Sequence, residues 1–148
     1  MTKPFSLQTV HELMQIRADD ATQRLARLIA SERDAKDKLA LLQQYRDEYA
    51  MRFRQAAQNG LSKSEWRNYQ EFLNRIDEAI EVQRRTVASQ VQHTATGQSQ
   101  WREQRTKLKA FDTLSERHFA SESALEGKLE QKKQDEFAAR RDTEQEPR

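Results

Sequence analysis

Apolar residues recur along the first part of the chain with a period of seven, as they do on the contact face of a coiled-coil helix. One stripe begins at Leu7 and repeats every seven residues as far as Ala56 without a polar interruption. A second, less regular stripe begins four residues later at His11. The two stripes predict a helix over about residues 6–58, with Ser6 as its N-cap.

A turn over residues 59–62 separates this helix from the next one. It contains an Asn-Gly pair, which tolerates the backbone angles of tight turns. Ser62 followed by Glu65 forms a capping box, in which each side chain satisfies a free backbone N–H of a new helix. We therefore predict a second helix over about residues 63–140, and a chain that folds back on itself.

The second helix carries its own pair of apolar stripes, which fit those of the first. Folding the chain at residue 61 brings together residues whose numbers sum to about 122. Large side chains then face small ones, for example Trp101 against Ala21 and Leu25 against Gly97. The pattern predicts an all-α protein, a long antiparallel two-helix coiled-coil hairpin, monomeric when free and forming a single domain over residues 1–148.

The second helix is longer than the first and is expected to overhang it. Residues beyond Ser115, which would face Leu7, have no partner within the chain. A polar helix without packing is marginal in water, so residues 116–140 are expected to fray or to become ordered against a partner. Residues 142–148 are expected to be disordered.

The composition favours long exposed helices and argues against nucleic acid as a partner. The chain is 35% apolar and 34% charged, and its 26 basic and 24 acidic residues are finely interleaved. We therefore expect no patch of one charge sign of the kind that nucleic acid or an anionic membrane requires. There is no cysteine, no apolar run long enough to span a membrane and no signal-peptide pattern. A cytoplasmic location is expected.

No catalytic, metal-binding or cofactor-binding motif is present, so we predict a protein that is not an enzyme. The three histidines are too far apart in sequence to form a metal-ligand pair at helical spacing. There is no glycine-rich phosphate loop and no nucleophile motif. The carboxylates stand on open helices, where nothing would remove water from them.

Binding is the remaining class of function, and one surface near the turn is a candidate. Folding brings together apolar and aromatic residues from both helices, at or just outside the seam: Leu42, Tyr45, Tyr49, Phe72, Ile76 and Ala79. Exposed aromatic patches on polar proteins usually mark a partner site. A locally thicker core would explain the same residues.

Several runs around the turn resemble the flagellar export protein family FliJ over most of the chain, from Leu7 to Phe137. The matching runs are Tyr45-Arg46-Asp47-Glu48-Tyr49, Asn68-Tyr69-Gln70-Glu71-Phe72-Leu73, Ile76-Asp77-Glu78-Ala79-Ile80, Trp101 with Lys107-Leu108-Lys109-Ala110, and Gln131-Lys132-Lys133-Gln134-Asp135-Glu136-Phe137. Each run is weak alone, and their order around one turn makes the resemblance specific.

The resemblance implies a cytoplasmic component of the flagellar type III export apparatus, a system of motility. Members of this family act as a stalk in the ring of the export ATPase FliI. They contact the cytoplasmic domain of the export gate FlhA and escort or recycle export chaperones. Such a protein would be associated with the inner-membrane apparatus through its partners only.

The same resemblance assigns the gate contact to the six residues of the candidate surface, Leu42, Tyr45, Tyr49, Phe72, Ile76 and Ala79. Lys38 and Gln83 depart from the family pattern at the rim of that surface. The ATPase-contacting parts carry over only as regions, residues 7–14 and the chain from Arg117 onward.

Two other functions compete with this one. A generic coiled-coil tether would self-associate through its seam, whereas a hairpin would be a monomer. The equivalent stalk protein of a virulence-type secretion system would look similar in sequence, and neighbouring genes would distinguish it.

Overall fold

A computed structural model describes residues 3–145 and contains two helices, α1 (Gln8–Gln58) and α2 (Lys63–Gln145). The described residues contain no strand. The two helices pack against each other in antiparallel fashion, which confirms the prediction of an all-α helical hairpin. Helix α1 starts two residues later than expected, and α2 ends five residues later.

The chain divides into two compact units. One combines the chain up to Asp19 with the chain from Glu103 onward, and we call it the terminal unit. The other, Asp20–Arg102, contains the turn, and we call it the turn unit. Each helix runs through both units without a break, and a single domain over residues 1–148 stays a prediction.

The turn forms as its residue types predict. Gly60 has a φ of +91°, a left-handed conformation that glycine adopts without strain, and its N–H donates to the carbonyl of Ala57 at 3.2 Å. The Ser62 hydroxyl accepts from the Glu65 N–H at 3.1 Å, and the Ser62 carbonyl accepts from the Trp66 N–H at 2.9 Å. The predicted N-cap of the second helix is therefore confirmed.

The start of α1 differs from the prediction. Its first backbone bond runs from the N–H of His11 to the carbonyl of Leu7, so the helix is entered at Leu7 and not at Ser6. The preceding turn is closed by the Gln8 N–H, which donates to the Phe5 carbonyl at 3.0 Å. The Phe5 ring is buried and faces His11 and His118, because the segment before the helix folds inward.

The observed contacts follow the predicted register. In the turn unit, Thr94 bonds the Leu28 carbonyl at 3.3 Å and the rings of Phe53 and Tyr69 lie 5.3 Å apart, and both pairs of residue numbers sum to 122. The buried apolar side chains are Phe5, Met14, Ala18, Ala21, Ala35, Ile76 and Ile80. All of them except Phe5 belong to the predicted stripes. The core is thus a narrow seam between two helices.

Gly97 allows the helices to approach each other near the end of the turn unit that is away from the turn. A Cβ added there would lie 2.5 Å from Leu28 Cδ1 and 3.7 Å from Leu25 Cδ1. The predicted pairing of Gly97 with Leu25 is confirmed. Helix α2 continues through this position without interruption.

Helix α2 is longer than α1 and extends beyond the residues that pack against it. Beyond His118 no described residue is buried, and from Gly127 to Glu144 every residue is exposed. We call residues 119–145 the C-terminal overhang. It is helical as far as Gln145, so the expected disorder from residue 142 is wrong for residues 142–145, and residues 146–148 lie outside the described part.

Candidate docking surfaces

Five aromatic rings are stacked beside the turn, within the turn unit. Phe53 contacts Trp66 and Tyr69, with ring centroids 4.8 and 5.3 Å apart. Tyr49 contacts Tyr69 and Phe72, with centroids 5.4 and 4.4 Å apart. Tilted and edge-on aromatic pairs at these distances stabilise packing beyond the area they bury. The rings therefore make a firm base for the side chains exposed around them.

The six candidate residues, which we call the aromatic patch, lie at different depths, and two of them, Tyr49 and Phe72, belong to this cluster. The patch comprises Leu42, Tyr45, Tyr49, Phe72, Ile76 and Ala79. Tyr45 is 58% exposed and Phe72 is 40% exposed. Ala79 is also exposed, and Leu42 and Tyr49 are half-buried. Ile76 is 8% exposed, so it belongs to the core and supports the patch from below instead of forming its surface.

The two residues expected at the rim of the patch, Lys38 and Gln83, also differ in their exposure. Lys38 is exposed. Gln83 is only 7% exposed, and its Nε2 donates to the carbonyl of Ala35 at 3.0 Å. Gln83 is therefore a buried, hydrogen-bonded core residue, and its assignment to the rim is wrong. Helical geometry explains this, because Gln83 follows Ile76 by seven residues and occupies the same seam position.

An ion pair lies on the flank of the seam that is opposite to the aromatic patch. Arg46 Nε donates to Asp77 Oδ1 across the two helices. This hydrogen bond raises the pKa of Arg46 above its ordinary value, with the attraction of the Asp77 charge adding to the effect. Because both side chains are partly exposed, by 40% and 48%, water screens the pair and it contributes little to stability.

A groove runs along that flank of α2, from Leu61 past Trp66 to Asn74. Its volume is about 500 Å³, and Trp66, its largest apolar residue, is 48% exposed. At about 100° per residue, the groove and Phe72 lie on opposite sides of the α2 seam. The groove is therefore distinct from the aromatic patch.

Four basic side chains surround the groove and the turn, and we call them the basic tip: Arg52, Arg54, Lys63 and Arg67. All four are exposed, and none forms an ion pair with another residue in the described part of the chain. Between residues 50 and 70 the only acidic residue is Glu65. Glu71 also lines the groove, and Glu48 lines a small pocket together with Arg52, so the basic tip has an excess of positive charge and is not a patch of one charge sign.

The terminal unit contains a second, different cluster. The Phe5 ring lies 6.4 Å from the His11 ring and 5.5 Å from the His118 ring. His118 Nε2 is 2.9 Å from the Lys3 carbonyl oxygen, and His11 Nε2 is hydrogen-bonded to Asp112 Oδ1. These contacts attach the segment before α1 to α2. Sequence reasoning missed them because it expected residues beyond Ser115 to have no partner within the chain, which is wrong for His118.

The C-terminal overhang exposes apolar side chains that nothing in the terminal unit covers. Those exposed by 45% or more are Phe119, Leu125, Leu129 and Phe137. All described aromatic residues that are exposed lie in two segments of the chain, residues 45–72 and residues 119–137. One segment belongs to each unit.

Neither helix has a stretch long and apolar enough to cross a membrane, within residues 3–145. In the same part of the chain, no three His, Asp or Glu residues come together as a metal site would need.

Two packed helices that expose aromatic side chains in two segments define a helical hairpin protein. The family model described as "Flagellar FliJ protein" matches residues 2–146. The chain is 31% identical over 140 residues to a protein of Salmonella typhi named "Flagellar FliJ protein". It is 30% identical over 140 residues to the protein of that name in Escherichia coli (strain K12). Each match covers 95% of both chains.

The chain therefore belongs to the flagellar FliJ protein family. Membership of this family makes it a component of the flagellar export apparatus. The resemblance inferred from the runs around the turn is thereby confirmed.

Proposed function

We propose that this protein is a non-enzymatic coupling component of the export apparatus, which binds the export gate through the aromatic patch and the export ATPase through the terminal unit. The observation that carries this proposal is the distribution of exposed aromatic residues, which fall into one segment of each unit. Two separate contact surfaces are what a protein that links two partners requires.

For the gate, the cytoplasmic domain of FlhA, the contact is centred on Tyr45 and Phe72. Both rings are exposed, and Phe72 is held against Tyr49 at 4.4 Å, so it loses little freedom on binding. Aromatic residues on a rigid base are typical of residues that dominate binding energy. Leu42 and Ala79 extend the apolar surface around them.

The gate contact is tested by measuring the affinity of the purified gate domain for single variants. Tyr45→Ala and Phe72→Ala should each weaken binding by at least about tenfold, as expected for residues at the centre of an interface. Leu41→Ala is the matched control, because Leu41 is 60% exposed and lies outside the patch. Equal weakening by all three variants, or none by Tyr45→Ala, would contradict the proposal.

For the ATPase FliI, the contact is the C-terminal overhang together with the start of α1. The overhang exposes four large apolar residues on an otherwise polar helix, which is a costly arrangement unless a partner covers them. Within the hexameric ring the protein would act as a stalk, as the family resemblance implies. Leu13 and Ile16 of α1, 42% and 57% exposed, add to the surface.

The ATPase contact is tested with a chain truncated after Ala120, which keeps the contact between His118 and the Lys3 carbonyl. The full chain should stimulate ATP hydrolysis and ring assembly, and the truncated chain should not. Stimulation by both chains would remove the overhang from the interface. The full chain with Leu125→Ala and Leu129→Ala distinguishes the apolar side chains from the length of the helix.

Escort or recycling of export chaperones is part of the same proposal and rests on the family resemblance. The protein would act in the cytoplasm as a monomer, with the apparatus at the inner membrane as its place of work. Analytical ultracentrifugation of the full chain tests the monomer, since a tether that pairs through its seam would sediment as a dimer.

A further inference from the structure

We propose that the turn of the hairpin docks directly onto an anionic lipid surface through the basic tip and Trp66. The family resemblance implies membrane contact only through partners, so this inference goes beyond the proposed function. It rests on the charge, exposure and register of residues on both sides of the turn.

Folding concentrates the positive charge, although the sequence disperses it. Phe53 contacts both Trp66 and Tyr69, which places the neighbouring Arg54 across from Arg67. Arg52 lies on the other flank of α1, about 200° around the helix from Arg54. Lys63 stands at the first residue of α2. Cations therefore surround the turn on both flanks and at its end.

The basic tip is free to bind an external anion. Its four cations form no ion pair with another residue of the described chain, unlike Arg46, Arg84 and Arg85, which pair with nearby carboxylates. A negative membrane surface attracts each such Lys or Arg, and each is worth about a fivefold gain in partitioning. Charge complementarity thus favours an anionic surface over a neutral one.

The apolar residues among these cations suit the boundary between lipid headgroups and acyl chains. Trp66 is 48% exposed and Met51 is 58% exposed, and both lie within the charged segment. Trp prefers this boundary because its ring is apolar and its N–H can still meet a polar partner. Lipid is favoured over an acidic peptide because the cations occupy both flanks and the end of the turn, whereas a peptide would follow one groove.

Cosedimentation of the full chain with two kinds of vesicle tests the proposal. One kind is pure phosphatidylcholine, and the other contains about one-third phosphatidylglycerol, to give a negative surface potential. At physiological ionic strength the protein should bind the anionic vesicles and ignore the neutral ones. No binding to anionic vesicles would overturn the proposal.

Two charge-reversal variants then locate the contact. Lys63→Glu with Arg67→Glu should reduce vesicle binding by at least about a hundredfold, at about fivefold for each unit of charge. Glutamate is favourable at Lys63 in the first turn of α2, and Arg67 is exposed, so the fold should survive. Arg84→Glu with Arg85→Glu is the matched control and should change binding much less, although the net charge changes equally.

The remaining outcomes are also decisive. Equal losses of vesicle binding from the two double variants would show that the net charge of the chain attracts the vesicles and that no particular site binds them. That result would overturn the proposal. So would a tip reversal that abolishes binding to the purified gate domain while the native chain ignores vesicles, because the tip would then bind protein. Tyr45→Ala should leave vesicle binding unchanged, so failure of the gate contact and failure of lipid docking are distinguishable.

A spectroscopic measurement adds independent support. In a Trp101→Phe background Trp66 is the only tryptophan, and its emission should shift to shorter wavelength when anionic vesicles are added. An unchanged emission despite cosedimentation would mean that Trp66 stays in water, and the tryptophan part of the proposal would be wrong.

Discussion

Phe53 and Phe137 are the same residue type on long polar helices, and their surroundings differ. Phe53 is half-buried and packs between Trp66 and Tyr69, whereas Phe137 is 68% exposed. In the turn unit each helical turn of α2 lies opposite a helical turn of α1. In the terminal unit the segment before α1 still contacts His118 of α2, and no described residue of α2 beyond His118 is buried.

The comparison shows that an apolar side chain stabilises this protein only where a second helix covers it. Burial of apolar area is the main favourable contribution to folding, and exposed residues contribute almost none of it. Under the proposed function, the exposed apolar residues of the overhang bind a partner instead of stabilising the fold. Four predictions test this contrast, beginning with the largest effect.

Replacing a buried residue should separate the two regions most clearly. Ile80 is 5% exposed, and Ile80→Ala should lower the free energy of unfolding by about 2–4 kcal/mol through lost burial and a new cavity. Leu129, 53% exposed in the overhang, is the matched control, and Leu129→Ala should cost less than about 0.5 kcal/mol. Urea unfolding followed by circular dichroism measures both, and similar losses would contradict the contrast.

A second pair of variants compares how much the serine at the start of each helix contributes to the free energy of unfolding. Ser62→Ala removes the acceptor of the Glu65 N–H and should cost about 1 kcal/mol of unfolding free energy. Ser6→Ala should cost less than about 0.3 kcal/mol, because α1 is entered at Leu7 and Ser6 does not cap it. The same urea experiment applies, and an equal cost at Ser6 would restore it as the N-cap.

Two glycines of α2 offer a third comparison. Glycine to alanine gains about 1 kcal/mol in an unstrained helix. At Gly127, where an added Cβ meets nothing within 4 Å, this gain should appear as higher helicity at 222 nm. At Gly97 the Cβ would lie 2.5 Å from Leu28 Cδ1, so the displacement of that side chain should offset most of the gain. A clear increase in stability from Gly97→Ala would show that the seam there is loosely packed.

Removing the overhang should have the smallest effect on stability. A chain ending at Ala120 loses helical signal in proportion to the deleted residues, but its unfolding midpoint should stay unchanged, because none of the deleted residues that the structure describes is buried. Thermal unfolding at 222 nm measures both quantities. A lowered midpoint would mean that the overhang stabilises the hairpin.

Most of the fold could be predicted from local patterns. The period of seven predicted both helices, the Asn-Gly pair and Ser62 located the turn, and the register followed from matching the stripes. The start of α1 could not be predicted in this way, because Phe5 is buried by His118, which is more than a hundred residues away in sequence. Local capping rules contain no information about such a contact.

The candidate surfaces were predicted less completely. Helical spacing placed Tyr45, Phe72 and Ile76 on one face, but only the packing decided that Ile76 lies in the core while the two aromatic residues are exposed. Gln83 shows the same effect, since its amide finds the Ala35 carbonyl and is buried with it. How deeply a side chain is buried depends on the helix that packs against it. The spacing of residues along a single helix contains no information about that second helix.

The sequence by itself determined that this chain is two antiparallel helices joined at Gly60, because periodicity and turn chemistry are local properties. Only the tertiary structure decided which polar groups are buried and which charges meet. Arg46 and Asp77 are 31 residues apart in sequence, and their charges meet only because the two helices fold back on each other. Electrostatic attraction depends on distance in space, and the pairing of α1 with α2 sets that distance.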